Sequence, residues 1–217
     1  MKIDEKRQLL YGIICWALFA VILLAFLDGR SWVTAMDHFG YQLTQPTMPN
    51  KTSILRIITQ FGDPFNLQVA TLVLMVFLWW RKRIADSLWF GALDFVGYAL
   101  VIIVKYTVMR PRPSDRLVRI SGYSFPSGHT FATTIFILTL VALICPLIKR
   151  KWVRALTTVI GALLILLIMY TRVYLRAHYA SDVVAGLLLA AGWWLITNAE
   201  RHRCAEWLLA PLKDFFD

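Results

Sequence analysis

The sequence predicts an all-α integral membrane protein: six transmembrane helices in a bundle, with short interfacial helices between spans one and two. Three observations carry that expectation. The 217 residues are 59% hydrophobic and only 17% charged, whereas a soluble domain carries about a quarter charged residues. Mean hydropathy is +0.61. Six apolar runs, at approximately 9–27, 65–80, 88–108, 130–148, 155–171 and 183–199, approach the length that crosses a hydrocarbon core. Residues 1–217 read as one membrane domain, with no internal repeat or low-complexity tract.

The first run follows Lys2, Lys6 and Arg7 and so resembles a signal peptide. It is too long for a typical signal core and no small-x-small site follows, so it reads as an uncleaved helix. Between spans one and two lie two apolar stripes at helical spacing, Trp32, Met36 and Phe39, then Ile54, Ile57, Ile58 and Phe61. The stretch from Gln45 to Asn50, with its two prolines, is a loop between them. These two helices either lie on the outer leaflet or cap the bundle. Span two is the shortest and can borrow Phe61 on its outer side.

Span three carries Asp94 and Lys105, costly in a bilayer. Their spacing is close to three helical turns, so they share a face, with Lys105 near the outer end. Asp94 lies deeper, and interhelical hydrogen bonding is the only role its position implies. Small residues at Gly186 and Ala190 permit close helix packing, within the bundle or between subunits. Cys15 and Cys145 fall within spans and Cys204 beyond the last, in no metal-binding or disulfide pattern.

Orientation follows from lysine and arginine. The clusters Lys2/Lys6/Arg7, Arg81/Lys82/Arg83, Lys149/Arg150/Lys151/Arg154 and Arg201/Arg203 all fall on one side of a six-span chain. The positive-inside rule makes that side cytosolic, together with both termini. The formal charge of +10 is split between these clusters and the outer segments, which excludes the contiguous basic face that nucleic acid requires. The outer side receives 28–63, 109–129 and 172–181, and its own excess of basic residues calls for an anionic ligand.

The stretch Arg172-Val-Tyr-Leu-Arg-Ala-His-Tyr-Ala-Ser-Asp182 links spans five and six. If the last helix begins near His178, the i, i+4 spacing sets the Asp182 carboxylate beside the His178 ring. An imidazole, a carboxylate and guanidinium groups are the equipment of phosphoryl chemistry. The same residues would also make an ordinary basic loop with a capping aspartate. Two further outer elements join them. Lys105 is followed by Arg110-Pro111-Arg112-Pro113, whose prolines stop the helix and stiffen the chain. Pro126-Ser127-Gly128-His129 stands at the start of span four, where backbone N–H groups and a hydroxyl suit an anion.

In this order the three elements resemble the tripartite signature of the type 2 phosphatidic acid phosphatase superfamily, which also includes vanadium haloperoxidases. Its Lys-x6-Arg-Pro matches Lys105 to Pro113, and its Pro-Ser-Gly-His matches Pro126 to His129 unchanged. Its Ser-Arg-x5-His-x3-Asp matches Arg172, His178 and Asp182, with Thr171 in place of serine and the hydroxyl retained. The family spacing selects Arg112 over Arg110.

The resemblance implies a membrane lipid phosphatase with its site on the extracytoplasmic face. His178 would be the nucleophile that forms a phosphohistidine, Asp182 would orient its ring, and His129 would be the general acid. Lys105, Arg112, Arg172, Ser127 and the Gly128 N–H would hold the phosphoryl oxygens. No cofactor is implied. With Asp182 committed to His178 there is no carboxylate cluster for a cation, so no metal is expected. Arg110, Arg116, Arg119 and Arg176 read as facing headgroups or solvent rather than a second phosphate. His38 reads as a surface residue and His202 lies on the far side. The membrane lipid substrate could be undecaprenyl diphosphate, phosphatidylglycerol phosphate, phosphatidate or a lipid A-like phosphate, and the compact chain favours the first two. A lipid phosphotransferase and a non-catalytic transporter or scaffold are the alternatives. Haloperoxidase activity belongs to soluble relatives.

Overall fold

The computed structural model describes residues 3–201. His202, Arg203 and Cys204 lie outside the described residues, as does Lys2. Eight α-helices follow one another in the described range: α1 (Ile3–Leu27), α2 (Ser31–Leu43), α3 (Pro49–Gln60), α4 (Pro64–Trp80), α5 (Ile84–Val108), α6 (Gly128–Ile144), α7 (Lys151–Tyr174) and α8 (Ala180–Ala199). A 3₁₀ turn, Cys145–Leu147, ends α6. Among the described residues six helical stretches are long and apolar enough to cross a membrane, and all six expected spans are among them. The helices outrun the apolar runs at several ends, because hydropathy marks the hydrocarbon core while Asp4, Lys151 and Arg154 continue the helix in polar surroundings.

The apolar stretch from Pro49 to Trp80 would be long enough for one helix, but it breaks at Phe61-Gly62-Asp63. Asp63 caps α4 by accepting the Phe65 and Asn66 N–H groups at 3.0 and 3.3 Å, and Pro64 fits the first helical position. Gly62 is needed for close approach: a Cβ there would meet Ile168 Cγ2 at 2.7 Å and Thr133 Oγ1 at 2.8 Å.

Helix α1 lies against α8. Trp16 stacks on Trp193 with ring centroids 6.4 Å apart and donates to the Leu189 carbonyl at 3.3 Å. Helix α6 packs against α4, α5, α7 and α8, with Phe90, Leu93, Phe131, Ile135 and Ala185 buried in the core. The Asn198 amide donates to Gln8 at 2.8 Å, so the start of α1 and the end of α8 share one end of the bundle. The opposite end gathers the starts of α4, α6 and α8 and the ends of α5 and α7.

Helices α2 and α3 pack on that end through Val33 and Gly40 against α8 and through Thr52, Leu55 and Thr59 against α7. Their apolar stripes face away from the bundle: Trp32, Phe39, Ile54, Ile57 and Phe61 are all exposed. A soluble protein would bury those stripes, whereas a bilayer needs no protein cover over them. Asp94 is buried in α5 opposite Thr71 of α4, its interhelical partner, though neither carboxylate oxygen is in a hydrogen bond of good geometry.

Two arginines expected to face headgroups or solvent are instead buried, Arg110 at 7% and Arg176 at 3% exposure. Arg110 donates to Asp182 Oδ1 and Ser181 Oγ at 2.7 Å each and to Asp37 Oδ2 at 2.5 Å. Asp37 Oδ1 accepts the Ser181 N–H at 2.9 Å and its hydroxyl at 2.7 Å. The guanidinium also lies over the rings of Phe26, at 4.5 Å, and Tyr179, at 4.2 Å. One side chain thus ties α1, α2 and α8 to the segment after α5. Arg176 adopts a left-handed backbone, φ 55°, and is held over Tyr41 at 3.8 Å with its Nη1 donating to Thr44 at 2.9 Å. Both partners come from residues far off in the chain, so local sequence held no sign of them.

Removing Arg110 leaves Asp37 and Asp182 buried without their cation, a change that costs about 3–5 kcal/mol. Arg110→Ala is expected to lower the thermal unfolding temperature in detergent well below that of wild type; an unchanged transition would exclude the buried network as a stabilising element. Gly186 contacts the Ser127 backbone inside the bundle, where a Cβ would stand 2.7 Å from the Ser127 carbonyl oxygen. Gly186→Val is expected to destabilise by about 1–3 kcal/mol through overpacking, read in the same assay, and a neutral result would show that α6 and α8 can separate freely.

Candidate active site

At the end of the bundle that carries α2 and α3, four segments converge. The chain leaving α5 runs extended through its prolines and returns to α6 by way of Ser124. The Ser124 N–H donates to the Arg110 carbonyl at 2.9 Å, and its hydroxyl donates to the Arg110 and Pro111 carbonyls at 3.2 and 3.1 Å. The Ser127 N–H donates to the Asp182 carbonyl at 2.9 Å, which joins the start of α6 to the start of α8. The turn after α7 is closed by the Ala177 and His178 N–H groups on the Arg172 carbonyl, at 3.1 and 3.2 Å. These main-chain bonds bring together the three motifs that were separate in sequence.

His178 is 2% exposed. Its Nδ1 lies 2.8 Å from the Ser124 carbonyl, and since a carbonyl only accepts, Nδ1 carries the proton and Nε2 the lone pair. Arg112 Nη1 stands 3.1 Å from that Nε2 and also donates to the Ala177 carbonyl at 2.8 Å. Burial, and after it the Arg172 and Arg112 guanidiniums and the Lys105 ammonium, hold the His178 pKa well below the usual imidazole value. The ring is therefore neutral at physiological pH.

Asp182 stands beside His178 but not in direct hydrogen bond with it. Oδ2 is 3.6 Å from Nδ1 and accepts the Tyr179 N–H at 2.9 Å, while Oδ1 is taken by Arg110. The ring is oriented by the Ser124 carbonyl, and Asp182 acts on it as a fixed negative charge. This corrects the expectation that Asp182 is committed to His178.

The other expected residues divide into two groups. Lys105, Arg112, Gly128, His129 and His178 line a cavity of about 250 Å³. Lys105 Nζ is anchored on the Tyr123 carbonyl at 3.0 Å, and Arg112 Nε on those of Ser121 and Gly122 at 3.2 and 3.0 Å. Arg172 and His129 line a larger, adjoining cavity of about 710 Å³. Arg172 Nη1 donates to Thr59 Oγ1 at 3.0 Å, and Thr171 uses its hydroxyl on the same Thr59 at 3.2 Å. The Arg172 Nε and Nη2 groups are buried without partners, which is costly unless a ligand supplies acceptors. Ser127 is fully buried, and its Oγ accepts from the Thr130 N–H and hydroxyl at 3.4 and 3.1 Å. It caps α6 and lines neither cavity.

Asp63 was not among the expected site residues. Its Oδ2 lies 3.5 Å from His129 Nε2, and it lines both cavities. Helix-capping chemistry (Asp before Pro) was the one local sign of it, and that sign marks a helix start rather than a histidine partner. Ser124 and Thr59 were missed for the same reason: each acts through one contact across the fold.

The model of the PAP2 superfamily matches residues 86–204. The chain is 33% identical over 153 residues to an undecaprenyl-diphosphatase of Sulfolobus acidocaldarius, covering 65% of this chain and 66% of that relative, just under two thirds of its length. It is 28% identical over 149 residues to a decaprenylphosphoryl-5-phosphoribose phosphatase of Mycobacterium tuberculosis, covering 66% of this chain and 76% of the relative. The fold matches the crystal structure of a transmembrane PAP2-type phosphatidylglycerolphosphate phosphatase from Bacillus subtilis with a TM-score of 0.79 at 20% identity, over 88% of this chain and 96% of that one. With more than half of its length matched by the family model, this chain belongs to the PAP2 superfamily.

Proposed function

We propose that this protein is a metal-independent phosphatase of membrane lipid phosphates, working through a phosphohistidine on His178 at the extracytoplasmic face. The observation that carries the reading is a neutral, buried imidazole with its Nε2 lone pair turned toward Lys105 and Arg112 in one small cavity. The family and the curated relatives, each a phosphatase of a lipid-linked phosphate by name, support the reaction class. The lysine and arginine distribution supports the side.

In this reaction a phosphoryl group enters the small cavity and draws Arg112 Nη1 from Nε2 onto its own oxygens. Nε2 attacks phosphorus in line with the bond to the lipid oxygen. That bond breaks, its electron pair leaves with the oxygen, and His129 supplies the proton, a contribution of about 10²–10⁴ in rate. Lys105, Arg112 and the Gly128 N–H, at the small cavity, stabilise the charge spread over the equatorial oxygens. The phosphorylated ring is cationic, with Nδ1–H still on the Ser124 carbonyl and Asp182 nearby. Water, deprotonated by His129, then releases phosphate and restores the neutral ring. The Asp63 carboxylate stabilises the protonated form of His129 that the first step requires.

Purified protein in detergent with EDTA is expected to release phosphate from a lipid phosphate, and His178→Ala to abolish release; full activity in that variant would remove His178 as nucleophile. Transfer to a second lipid with no free phosphate would instead identify a phosphotransferase.

Because the neutral His178 ring is the active form and its pKa is depressed, the acid limb of kcat/KM is expected to lie below pH 6.5, apart from the alkaline limb set by deprotonation of His129. After correction for substrate ionisation, an acid limb centred above 6.5 would contradict this electrostatic account.

Asp63→Asn is expected to slow hydrolysis of an alkyl phosphate by about tenfold or more, the worth of a hydrogen bond to a charged group. Hydrolysis of an activated aryl phosphate, whose leaving group needs no proton, should change far less. Equal losses on both substrates would mean that Asp63 serves only as a helix cap.

A further inference from the structure

We propose that the larger cavity is a second anion subsite that recognises a phosphate on the leaving group, so that the protein favours lipid diphosphates over lipid monophosphates. This rests on the phosphatase reading above. The two cavities share Asp63, Ile120 and His129. His178 lines the smaller one, so the attacked phosphorus sits there, and the general acid stands at the boundary. The oxygen that His129 protonates must therefore lie between the cavities, and what departs with that oxygen lies in the larger one.

The larger cavity is built for negative charge. Arg56, Arg116, Arg119 and Arg172 line it, against a single carboxylate, Asp63. None of the first three forms an ion pair among the described residues. Arg56 Nε donates to the Leu117 carbonyl at 3.1 Å, its Nη2 donates to the same oxygen, and Arg116 Nη1 donates to the Ile120 carbonyl at 3.1 Å. These main-chain acceptors orient the guanidiniums without neutralising them. Arg172 adds an independent sign: it is 2% exposed, and its Nε and Nη2 have no partner. An uncharged alcohol leaving group could accept from these donors but would neutralise none of their charge. A leaving group that carries its own phosphate would pair with them bidentately.

The step balances as a diphosphate hydrolysis. His178 Nε2 bonds to the terminal phosphorus, the bridging P–O bond breaks, and its electron pair goes to the oxygen of the departing lipid monophosphate. The His129 proton follows, and water then frees orthophosphate from His178. The second phosphate both binds in the ground state and gains charge as the bridge breaks, so the arginines act most strongly in the transition state.

The test uses the full chain and one prenyl tail in two forms, farnesyl diphosphate and farnesyl phosphate. Wild type is expected to show the higher kcat/KM for the diphosphate. The triple variant Arg56→Gln, Arg116→Gln, Arg119→Gln is expected to lower the diphosphate-to-monophosphate ratio by at least about tenfold. A ratio unchanged within twofold overturns the subsite, whether both activities fall or neither does. The measurement is repeated in phosphatidylcholine vesicles with and without phosphatidylglycerol. A loss seen only with the anionic lipid assigns the arginines to headgroups and also overturns it. A non-hydrolysable farnesyl methylenediphosphonate, titrated against wild type and the triple variant, separates the two proposals. Tighter binding to wild type by the same factor without any turnover would keep the subsite and remove the phosphatase reading, whereas turnover without that difference would do the reverse.

Discussion

Positive charge gathered out of water around one neutral imidazole is the constraint on which the α2–α3 end of this bundle is built. Lys105, Arg112 and Arg172 all bear on the buried His178, and like charges held together in low dielectric repel strongly. Asp182 and Asp63 offset part of this charge from a distance, but among the described residues none of the three cations is in a direct ion pair with a carboxylate. Lys105 and Arg112 are held by the carbonyls of Tyr123, Ser121, Gly122 and Ala177, and Arg172 by the Thr59 hydroxyl. Carbonyls and hydroxyls fix direction and leave the net charge intact. The potential that results favours a multiply charged anion and disfavours a proton on His178, which is the combination phosphoryl transfer needs.

Arg110 and Arg112, two residues apart, show how the same side chain is put to opposite uses. Arg110 faces two carboxylates, is neutralised, and becomes a structural tie between α1, α2 and α8. Arg112 faces only carbonyls and a histidine and stays available to a ligand. Helix α2 therefore matters to the site although none of its residues lines the small cavity: its Asp37 occupies Arg110 and Ser181, and both hold Asp182 in place.

The membrane class and the six spans were legible because apolar length is a local property of sequence. The helix ends were not, because hydropathy stops where the polar residues of α7 and α5 continue the helix. Lys105, Arg112, His129, Arg172, His178 and Asp182 were legible as spaced motifs, and all six lie at one end of the bundle. Ser127 was legible as a turn residue, yet its hydroxyl serves the α6 cap. Asp63, Ser124, Asp37 and Thr59 were not legible, because each gains its role from one partner far away in the chain. Arg110 and Arg176 were misread for the same reason: a lone arginine near a membrane surface looks like a headgroup contact until its carboxylate or hydroxyl partner is placed.

The separation between Asp182 and His178 has a mechanistic reason. A carboxylate that accepted the Nδ1 proton directly would favour the cationic ring in the free protein as well as in the intermediate, and so would lower the fraction of nucleophile available. Here a carbonyl accepts that proton, which fixes the tautomer without adding charge. Asp182, held at 3.6 Å by Arg110 and the Tyr179 N–H, would in the proposed reaction face a neutral ring at first and a cationic one once Nε2 had bonded to phosphorus. Its attraction would grow only as the ring gains charge, so in the proposed reaction it would stabilise the transition state and the phosphohistidine more than the resting state. The Arg110–Asp37 network is what keeps the carboxylate at that distance, so it bears on the geometry around His178 as well as on the fold.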